Sequence, residues 1–119
     1  MNRIKFAEDW DKLREPQFTA IRSYRREKEA YYRAQVGQEF TILRVRNYTD
    51  RWGGRKIGSA TLLSFCCVVP ARLPARLLQL DVMRGGKPDQ VWLDRLLAMD
   101  RALLLEFENH TGILGEAGA

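Results

Sequence analysis

The segment FTAIRSYRREKEAYYRAQVGQEF, Phe18–Phe40, begins with β-type residues and continues with arginines interleaved with tyrosines. Arginine presents a planar fork of donors that suits phosphate groups, and it also stacks on nucleobases. Tyrosine offers an aromatic face on which an unstacked base can lie. The segment therefore predicts a charged, aromatic rim that binds RNA or a nucleotide. Its predicted binding residues are Arg22, Tyr24, Arg25 and Arg26.

A second basic patch surrounds the segment NYTDRWGGRK, whose glycine pair indicates a hairpin connection. Its predicted binding residues are Arg44, Arg46, Trp52, Arg55 and Lys56, with Arg51 beside them. The stretch from Arg22 to Lys56 contains ten basic and four acidic residues, whereas the whole chain has a net charge of +5. Such a local excess predicts a face that binds a polyanion. A solvated arginine-rich surface and a module that binds an acidic protein partner are the alternatives.

Some of these residues also have a purely structural interpretation. Tyr31 and Tyr32 have the spacing of packing residues on a helix, and packing is the commoner role of a tyrosine at such positions. Arg22 could pair with an internal carboxylate such as Glu106 instead of a ligand. Trp52, which lies in a glycine-rich loop, is expected to be an exposed contact residue.

The familiar catalytic and cofactor-binding patterns do not occur in this sequence. His110 is the single histidine, and nothing beside it supports a Ser-His-Asp arrangement. The glycine pair in RWGGRK lacks the spacing of a phosphate-binding loop. Cys66 and Cys67 are adjacent and would point to opposite faces of a strand, so we expect two reduced thiols in a buried strand of a cytosolic protein. No metal site and no cofactor are expected.

The length of 119 residues predicts one domain with a single core, residues 1–119, in which residues 110–119 form a flexible tail. No segment approaches the ~20 apolar residues of a transmembrane helix. The N-terminal MNRIKFAEDWDKL carries acidic residues where a signal peptide needs an apolar stretch. We therefore expect a cytoplasmic protein that has no membrane partner. The sequence leaves the oligomeric state open.

Hydrophobic periodicity and turn residues predict about five strands interrupted by short helices. The predicted strands are Arg3–Phe6, Phe18–Arg22, Glu39–Arg46, Lys56–Val69 and Ala102–Glu108. The predicted helices are Glu8–Arg14, Tyr24 to about Val36 with Ser23 as N-cap, Pro74 to Leu80, and one that Pro88 opens. Trp10 and Trp92 are expected in the core. Because strands and helices do not alternate strictly, the pattern predicts an α+β fold with a partly closed barrel.

Four stretches in this order carry a resemblance to a known family. They are FTAIRSYRREKEAYYRAQVGQEFTI, GRKIGSATLLSFCCV, WLDRLL and LLLEFE. From about Ile4 to Glu108 the chain resembles the ASCH family of the PUA-like barrels. The resemblance implies a small mixed β-barrel of five to six strands with short flanking helices. It also implies that RNA or a nucleotide binds in a cleft between the barrel and its helices.

The family's motif at this cleft, G-x-K-x-x-E-x-R, is matched here only at its final arginine, Arg22. The positions of the glycine, the lysine and the glutamate are occupied by Glu15, Gln17 and Ala20. The arginine is therefore the one residue of the motif whose role in the cleft can be carried over to this chain.

The resemblance also implies an alternative function. Some small ASCH proteins are amidohydrolases that act on acetylated cytidine by means of a lysine, a threonine and a glutamate. The alternative is thus a small amidohydrolase acting on an acetylated or otherwise modified nucleoside. Thr19, which is also a candidate contact for RNA or a nucleotide, and Asp81 are its catalytic candidates. Gln17 cannot act as a general base in place of the lysine, because its side chain does not titrate.

Overall fold

A computed structural model describes residues 2–47 and 54–110 of the chain. The strands of this part are β1 Asn2–Phe6, β2 Gln17–Ser23, β3 Glu39–Arg44, β4 Arg55–Val68, β5 Met83–Arg84, β6 Lys87–Pro88 and β7 Ala102–Asn109. Its α-helices are α1 Arg26–Ala34, α2 Ala75–Asp81 and α3 Gln90–Leu97. Two short 3-10 helices, Asp11–Arg14 and Pro70–Arg72, precede β2 and α2.

The five longer strands form one mixed sheet in the order β1-β3-β4-β7-β2. β1 and β3 run parallel, and the other neighbours run antiparallel. The sheet curls into a half-barrel whose edges are β1 and β2. Register shifts at Ile42/Leu43 and at Leu62/Ser64 are irregularities of the kind that bend a strand. The prediction of an α+β fold with a partly closed sheet is confirmed.

The core is built from alternate residues of the strands and from one side of each helix. In β7, the buried side chains of Leu103, Leu105 and Phe107 alternate with residues that are more exposed, as the two-residue period of a strand requires. The ring of Phe107 lies 5.2 Å from that of Phe18 and 5.5 Å from that of Phe40. Each such ring contributes roughly 1.5–3 kcal/mol by leaving water. The helices add Tyr32, Leu78 and Leu96.

Asn109 connects the end of β7 to the first 3-10 helix. Its fully buried side-chain amide donates hydrogen bonds to the carbonyl oxygens of Leu13, at 2.7 Å, and of Glu15, at 2.9 Å. Its backbone N–H donates to the carbonyl of Pro16 at 2.8 Å. These bonds satisfy carbonyl groups at the end of a short helix, which have no partner within it. The segment that leads into β2 is thereby held against the sheet.

The first long helix starts later than the sequence predicts. α1 begins at Arg26, with Arg25 as its N-cap, and Arg25 makes no side-chain capping hydrogen bond. The predicted N-cap, Ser23, instead ends β2, where it pairs with Ala102 of β7. The prediction of Ser23 as a cap is wrong, because the sheet ladder keeps this residue extended and separates it from the first helical turn.

Two other helix boundaries also differ from prediction. Pro88 does not open α3, because it lies in the small hairpin strand β6 opposite Met83. Asp89 caps the helix instead, and its carboxylate accepts a hydrogen bond from the backbone N–H of Trp92 at 3.2 Å. The helix predicted over Glu8–Arg14 is shorter and tighter, and consists of the 3-10 turn Asp11–Arg14.

The two cysteines lie in β4 as free thiols, but they are exposed rather than buried. The expectation of a buried strand is wrong for this part of β4, which extends past the register shift near Ser64. The thiol of Cys67 donates to the carboxylate of Glu29 on α1 at 2.7 Å. This hydrogen bond to Glu29 raises the pKa of the Cys67 thiol, and partial burial adds to the effect. Cys67 is therefore less reactive as a thiolate than a free cysteine.

Candidate functional site

A cleft of about 520 Å³ opens between the two edge strands of the half-barrel and the three helices. β1 and β2 form one side of it, and the first 3-10 helix, the start of α1, the end of α2 and one side of α3 form the rest. Clefts of this size hold small ligands. Its polar and aromatic lining consists of Arg3, Lys5, Trp10, Lys12, Arg22, Ser23, Lys28, Tyr32, Asp81, Trp92 and Arg95.

Positive charge dominates this lining. Six of its residues are cationic and one is acidic. The cationic residues are Arg3, Lys5, Lys12, Arg22, Lys28 and Arg95, and the acidic residue is Asp81. A cleft with one sign of charge and low-dielectric walls concentrates oppositely charged ligands. The cleft is therefore suited to anionic ligands.

Arg22 spans the gap between the two edge strands. Its Nη2 donates to the backbone carbonyl of Lys5 in β1 at 2.7 Å, although β1 and β2 lie at opposite edges of the sheet. Its guanidinium carbon lies 4.8 Å from the ring centroid of Phe6. Arg22 also lowers the pKa of Lys12 and of Lys28, so its charge acts on both amines. This arginine is therefore both a structural bridge and the electrostatic centre of the cleft.

The alternative partner of Arg22, Glu106, lies elsewhere. Glu106 is opposite Thr19 in the β2–β7 register and lines a second groove. Thr19 and Arg22 are three residues apart on one strand, so their side chains point to opposite faces. The structural role of Arg22 is thus the bond to the Lys5 carbonyl rather than an ion pair with Glu106.

A buried ion pair lies inside the cleft. The Nζ of Lys12 is 2.7 Å from Oδ1 of Asp81, and the two side chains are 6% and 5% exposed. Burial has the largest effect on the pKa of Lys12 and lowers it, Asp81 opposes this, and the positive charge of Arg22 lowers it further, so that the pKa lies below its usual value. Lys12 is a cleft residue that the sequence analysis missed. A lysine in a charge-balanced N-terminal segment gives no local signal that a carboxylate 69 residues away will pair with it.

Lys28 is the second cleft residue that sequence reasoning did not identify as a binding residue. It lies in the first turn of α1 and lines the cleft. Partial burial lowers its pKa, and repulsion from Arg25 and Arg22 lowers it further. Lys28 forms no ion pair with any residue in the described part of the chain. Its charge is therefore available to a ligand.

The aromatic wall of the cleft is contributed by three rings. Trp10 is 3% exposed, and its ring meets that of Trp92 edge-on at 5.7 Å. Trp92 is half-buried, and the guanidinium of Arg95 lies 4.8 Å from its ring centroid. Tyr32 is buried, and burial raises the pKa of its hydroxyl. The expected core position is confirmed for Trp10, whereas Trp92 packs on the core and also reaches the cleft.

The binding residues predicted near the start of α1 have different positions. Arg22 lies in the cleft, whereas Arg25 is exposed outside its lining, and its charge lowers the pKa of Lys28. Arg26 is exposed on the first turn of the helix. Tyr24 is half-buried, with the guanidinium of Arg101 3.9 Å from its ring centroid.

The second predicted basic patch forms a separate surface. Arg44, Arg46 and Arg55 line a shallow pocket together with Ala7 and Glu8. Lys56 is exposed on β4, opposite Leu43, and Trp52 and Arg51 lie outside the described residues. The described members of the two predicted patches that line a pocket therefore line separate pockets. Four of the six cations in the cleft, Arg3, Lys5, Lys12 and Arg95, come from other segments of the chain.

The two candidate catalytic residues line different cavities. Asp81 lies in the cleft. Thr19 lies with Gln17 and Glu106 in a second groove of about 960 Å³ beside α2. One substrate in the cleft therefore cannot contact both Thr19 and Asp81 in this arrangement.

Comparison of the chain with family models, with curated proteins and with solved structures finds no match. None of the helices in the described part has both the length and the apolar character that crossing a membrane requires. Within residues 2–47 and 54–110, no three His, Cys, Asp or Glu side chains come together in a group that could hold a metal ion. The function of the protein is therefore inferred from the residues that line the cleft.

Proposed function

We propose that this protein binds RNA or a nucleotide in the cleft between its half-barrel and helices. The observation that carries the proposal is the lining of the cleft, in which six cations oppose one carboxylate beside three aromatic rings. Phosphate groups attract such cations, and binding releases counterions from the nucleic acid. Aromatic side chains offer stacking surfaces that accept any base.

We assign the fold, within this proposal, to the ASCH type of the PUA-like barrels. Two observations support the assignment. The half-barrel carries short helices on one side of a cleft, which is the arrangement that the resemblance implies. Arg22, the one residue that matches the family's motif, lies in that cleft.

Neutralising one cleft arginine is expected to weaken binding in a salt-dependent way. For Arg95→Gln, the affinity for single-stranded RNA falls, and the slope of log affinity against log salt decreases in magnitude by about 0.7 for a lost phosphate contact. Arg76→Gln is the matched control, because Arg76 is an exposed helical arginine that lines the second groove, with Thr19, and not the cleft. Fluorescence anisotropy with a labelled oligonucleotide at several salt concentrations measures both quantities.

The proposal fails if the wild-type protein binds neither RNA nor a nucleotide. It also fails if Arg95→Gln and Arg76→Gln change affinity and salt slope equally, since binding would then depend on net charge rather than on the cleft. An acidic protein partner would explain a basic surface that has no affinity for nucleic acid.

The second candidate function is hydrolysis of an acylated nucleoside. The observation that favours it is the buried pair of Lys12 and Asp81 in the cleft, where burial lowers the pKa of the lysine. An amine with a lowered pKa can take a proton from water while the water attacks the acyl carbon. The resulting ammonium can then give this proton to the leaving amino group of the nucleoside as the C–N bond breaks and acetate is released. Gln17 occupies the lysine position of the family motif, so in this candidate function Lys12, in the first 3-10 helix, would take the role of that lysine.

This candidate predicts release of acetate from acetylated cytidine by the wild-type protein. In Lys12→Gln the release rate should fall at least 100-fold, because general-base catalysis contributes about 10²–10⁴-fold. Liquid chromatography of the nucleoside measures the conversion, and circular dichroism shows whether the variant is folded. A wild-type protein that binds the nucleoside and leaves it intact eliminates the hydrolase and leaves the binding function.

A further inference from the structure

Three cations lie along the short segment in which β2 leads into α1. Arg22 is next to the last residue of β2, Arg25 is the N-cap residue of α1, and Lys28 is in the first helical turn. Arg22 and Lys28 line the cleft, and both arginines repel the ammonium of Lys28 strongly enough to lower its pKa. Like charges gathered in this way are destabilising unless an anion lies among them.

Two of the three cations have no carboxylate partner within the described part of the chain. Arg25 and Lys28 form no ion pair with another residue in the described part of the chain. Glu29 is engaged by the thiol of Cys67 and by Arg33. The carboxylate of the cleft, Asp81, is held by Lys12 at 2.7 Å.

We propose that Arg22, Arg25 and Lys28 form a phosphate subsite at the edge of the cleft, which binds one phosphate group of a nucleotide whose base and sugar occupy the cleft. The inference rests on the proposed function and specifies which part of the ligand each part of the site contacts. A phosphate group matches the subsite because it carries up to two negative charges and three acceptor oxygens. Arginine binds such a group through two parallel hydrogen bonds, and lysine binds it as a point charge.

The rest of the cleft explains why the phosphate belongs to a nucleotide rather than to a free anion. The cleft volume of about 520 Å³ far exceeds the space that one phosphate needs, and its lining includes the half-buried ring of Trp92. An aromatic side chain of this kind can stack on a nucleobase. The phosphate can be the terminal group of a mononucleotide or an internal group of an RNA strand, and the two sources share the same chemistry.

The test compares nucleosides with their 5′-monophosphates by isothermal titration calorimetry. Each of the four monophosphates should bind at least about tenfold more tightly than its nucleoside, because charge-assisted hydrogen bonds to phosphate are strong. Lys28→Gln should remove most of this preference, so that the affinities for the monophosphate and for its nucleoside become nearly equal in the variant. Arg26→Gln is the matched control: Arg26 is an exposed arginine in the same helical turn that does not line the cleft.

A third arm uses a short single-stranded RNA with a 5′-hydroxyl, at constant salt. If an internal phosphate is the natural ligand, this RNA should bind tightly and lose about tenfold in affinity in Lys28→Gln. If a terminal phosphate is the natural ligand, the monophosphate should bind more tightly than this RNA. Either result supports the subsite and identifies the source of the phosphate.

Two results would overturn the subsite. If nucleosides and monophosphates bind equally well, or if Lys28→Gln and Arg26→Gln behave alike with every ligand, the phosphate is held elsewhere, although cleft binding stands. If no nucleoside, monophosphate or RNA binds at all, the proposed function fails together with the subsite.

Discussion

Replacing Asp81 with asparagine is expected to destabilise the protein by about 3–5 kcal/mol. Asp81 is the ion-pair partner of Lys12 at 2.7 Å, and both side chains are almost fully buried. Without the carboxylate, a buried ammonium group remains without a counter-charge, and Arg22 repels it. A cost of this size arises because an unpaired charge is far less stable in the interior than in water.

A second prediction distinguishes the removal of Asp81 alone from the removal of both members of the ion pair. The double variant Lys12→Met/Asp81→Leu should recover most of the stability, because well-packed apolar residues often replace a buried ion pair without a net cost. Glu8→Gln serves as the control. It breaks the more exposed ion pair of Glu8 with Arg84, which should cost no more than about 1 kcal/mol. Urea denaturation followed by circular dichroism measures all three.

The loss in Asp81→Asn should depend on pH with a definite sign. Burial already lowers the pKa of Lys12 in the folded protein below 10.5, and removing Asp81 removes an interaction that raises it. Between this lowered pKa and 10.5, the unfolded chain binds more protons than the folded one, so stability rises with pH. The destabilisation of Asp81→Asn relative to the wild type should therefore be largest at pH values below the pKa of Lys12 in the folded variant. It should shrink as the pH rises from that value towards 10.5. A loss that is equal at all pH values would contradict a buried charge as its cause.

Arg22→Ala is expected to affect stability and binding together. Loss of the charged hydrogen bond to the Lys5 carbonyl should cost about 1.5–3 kcal/mol, because this bond joins the two edge strands of the half-barrel. The affinity for RNA or a nucleotide should fall at least tenfold, since the charge at the centre of the cleft is removed. In the same variant the pKa values of Lys12 and Lys28 should rise, because the repulsion from Arg22 is gone.

Arg22→Lys distinguishes charge from geometry at this position. Lysine keeps the positive charge, so the salt dependence of binding should be largely retained. It lacks the planar donor fork of arginine, so the stability loss should persist in part. Denaturation measures the stability, anisotropy at several salt concentrations measures the binding, and NMR titration of labelled lysines measures the pKa values of Lys12 and Lys28. The assigned role of Arg22 would be wrong if Arg22→Ala changed neither the stability nor the lysine pKa values.

Much of the secondary structure was predictable because its signals are local. Strand β4 was placed within one residue of its bounds, and β7 within one residue at its C-terminal end. Alternation of apolar residues and the positions of proline and glycine depend only on near neighbours along the chain. The curled sheet also followed from the sequence, since about five strands without regular crossovers predict an α+β arrangement.

The errors concern residues whose strand pairing or exposure differs from what their residue types predict. Ser23 is a good N-cap by residue type, but its pairing with Ala102 keeps it in a strand. Pro88 is suited to a helix start, but the hairpin with Met83 makes it a strand residue. Cys66 and Cys67 have the composition of a buried strand, yet they lie in a part of β4 that is exposed. For Ser23 and Pro88, pairing with a strand partner outweighed a correct local preference.

By itself, the sequence determined the strand order along the chain, the basic excess and the position of Arg22 on a strand. Only the tertiary structure decided which charges meet. Lys12 and Asp81 are 69 residues apart, and the cleft also draws cations from β1 and α3. The period of a strand places Thr19 and Arg22 on opposite faces. Which surfaces then face each other depends on strand pairing and helix packing across the whole chain, and no short stretch of sequence contains that information.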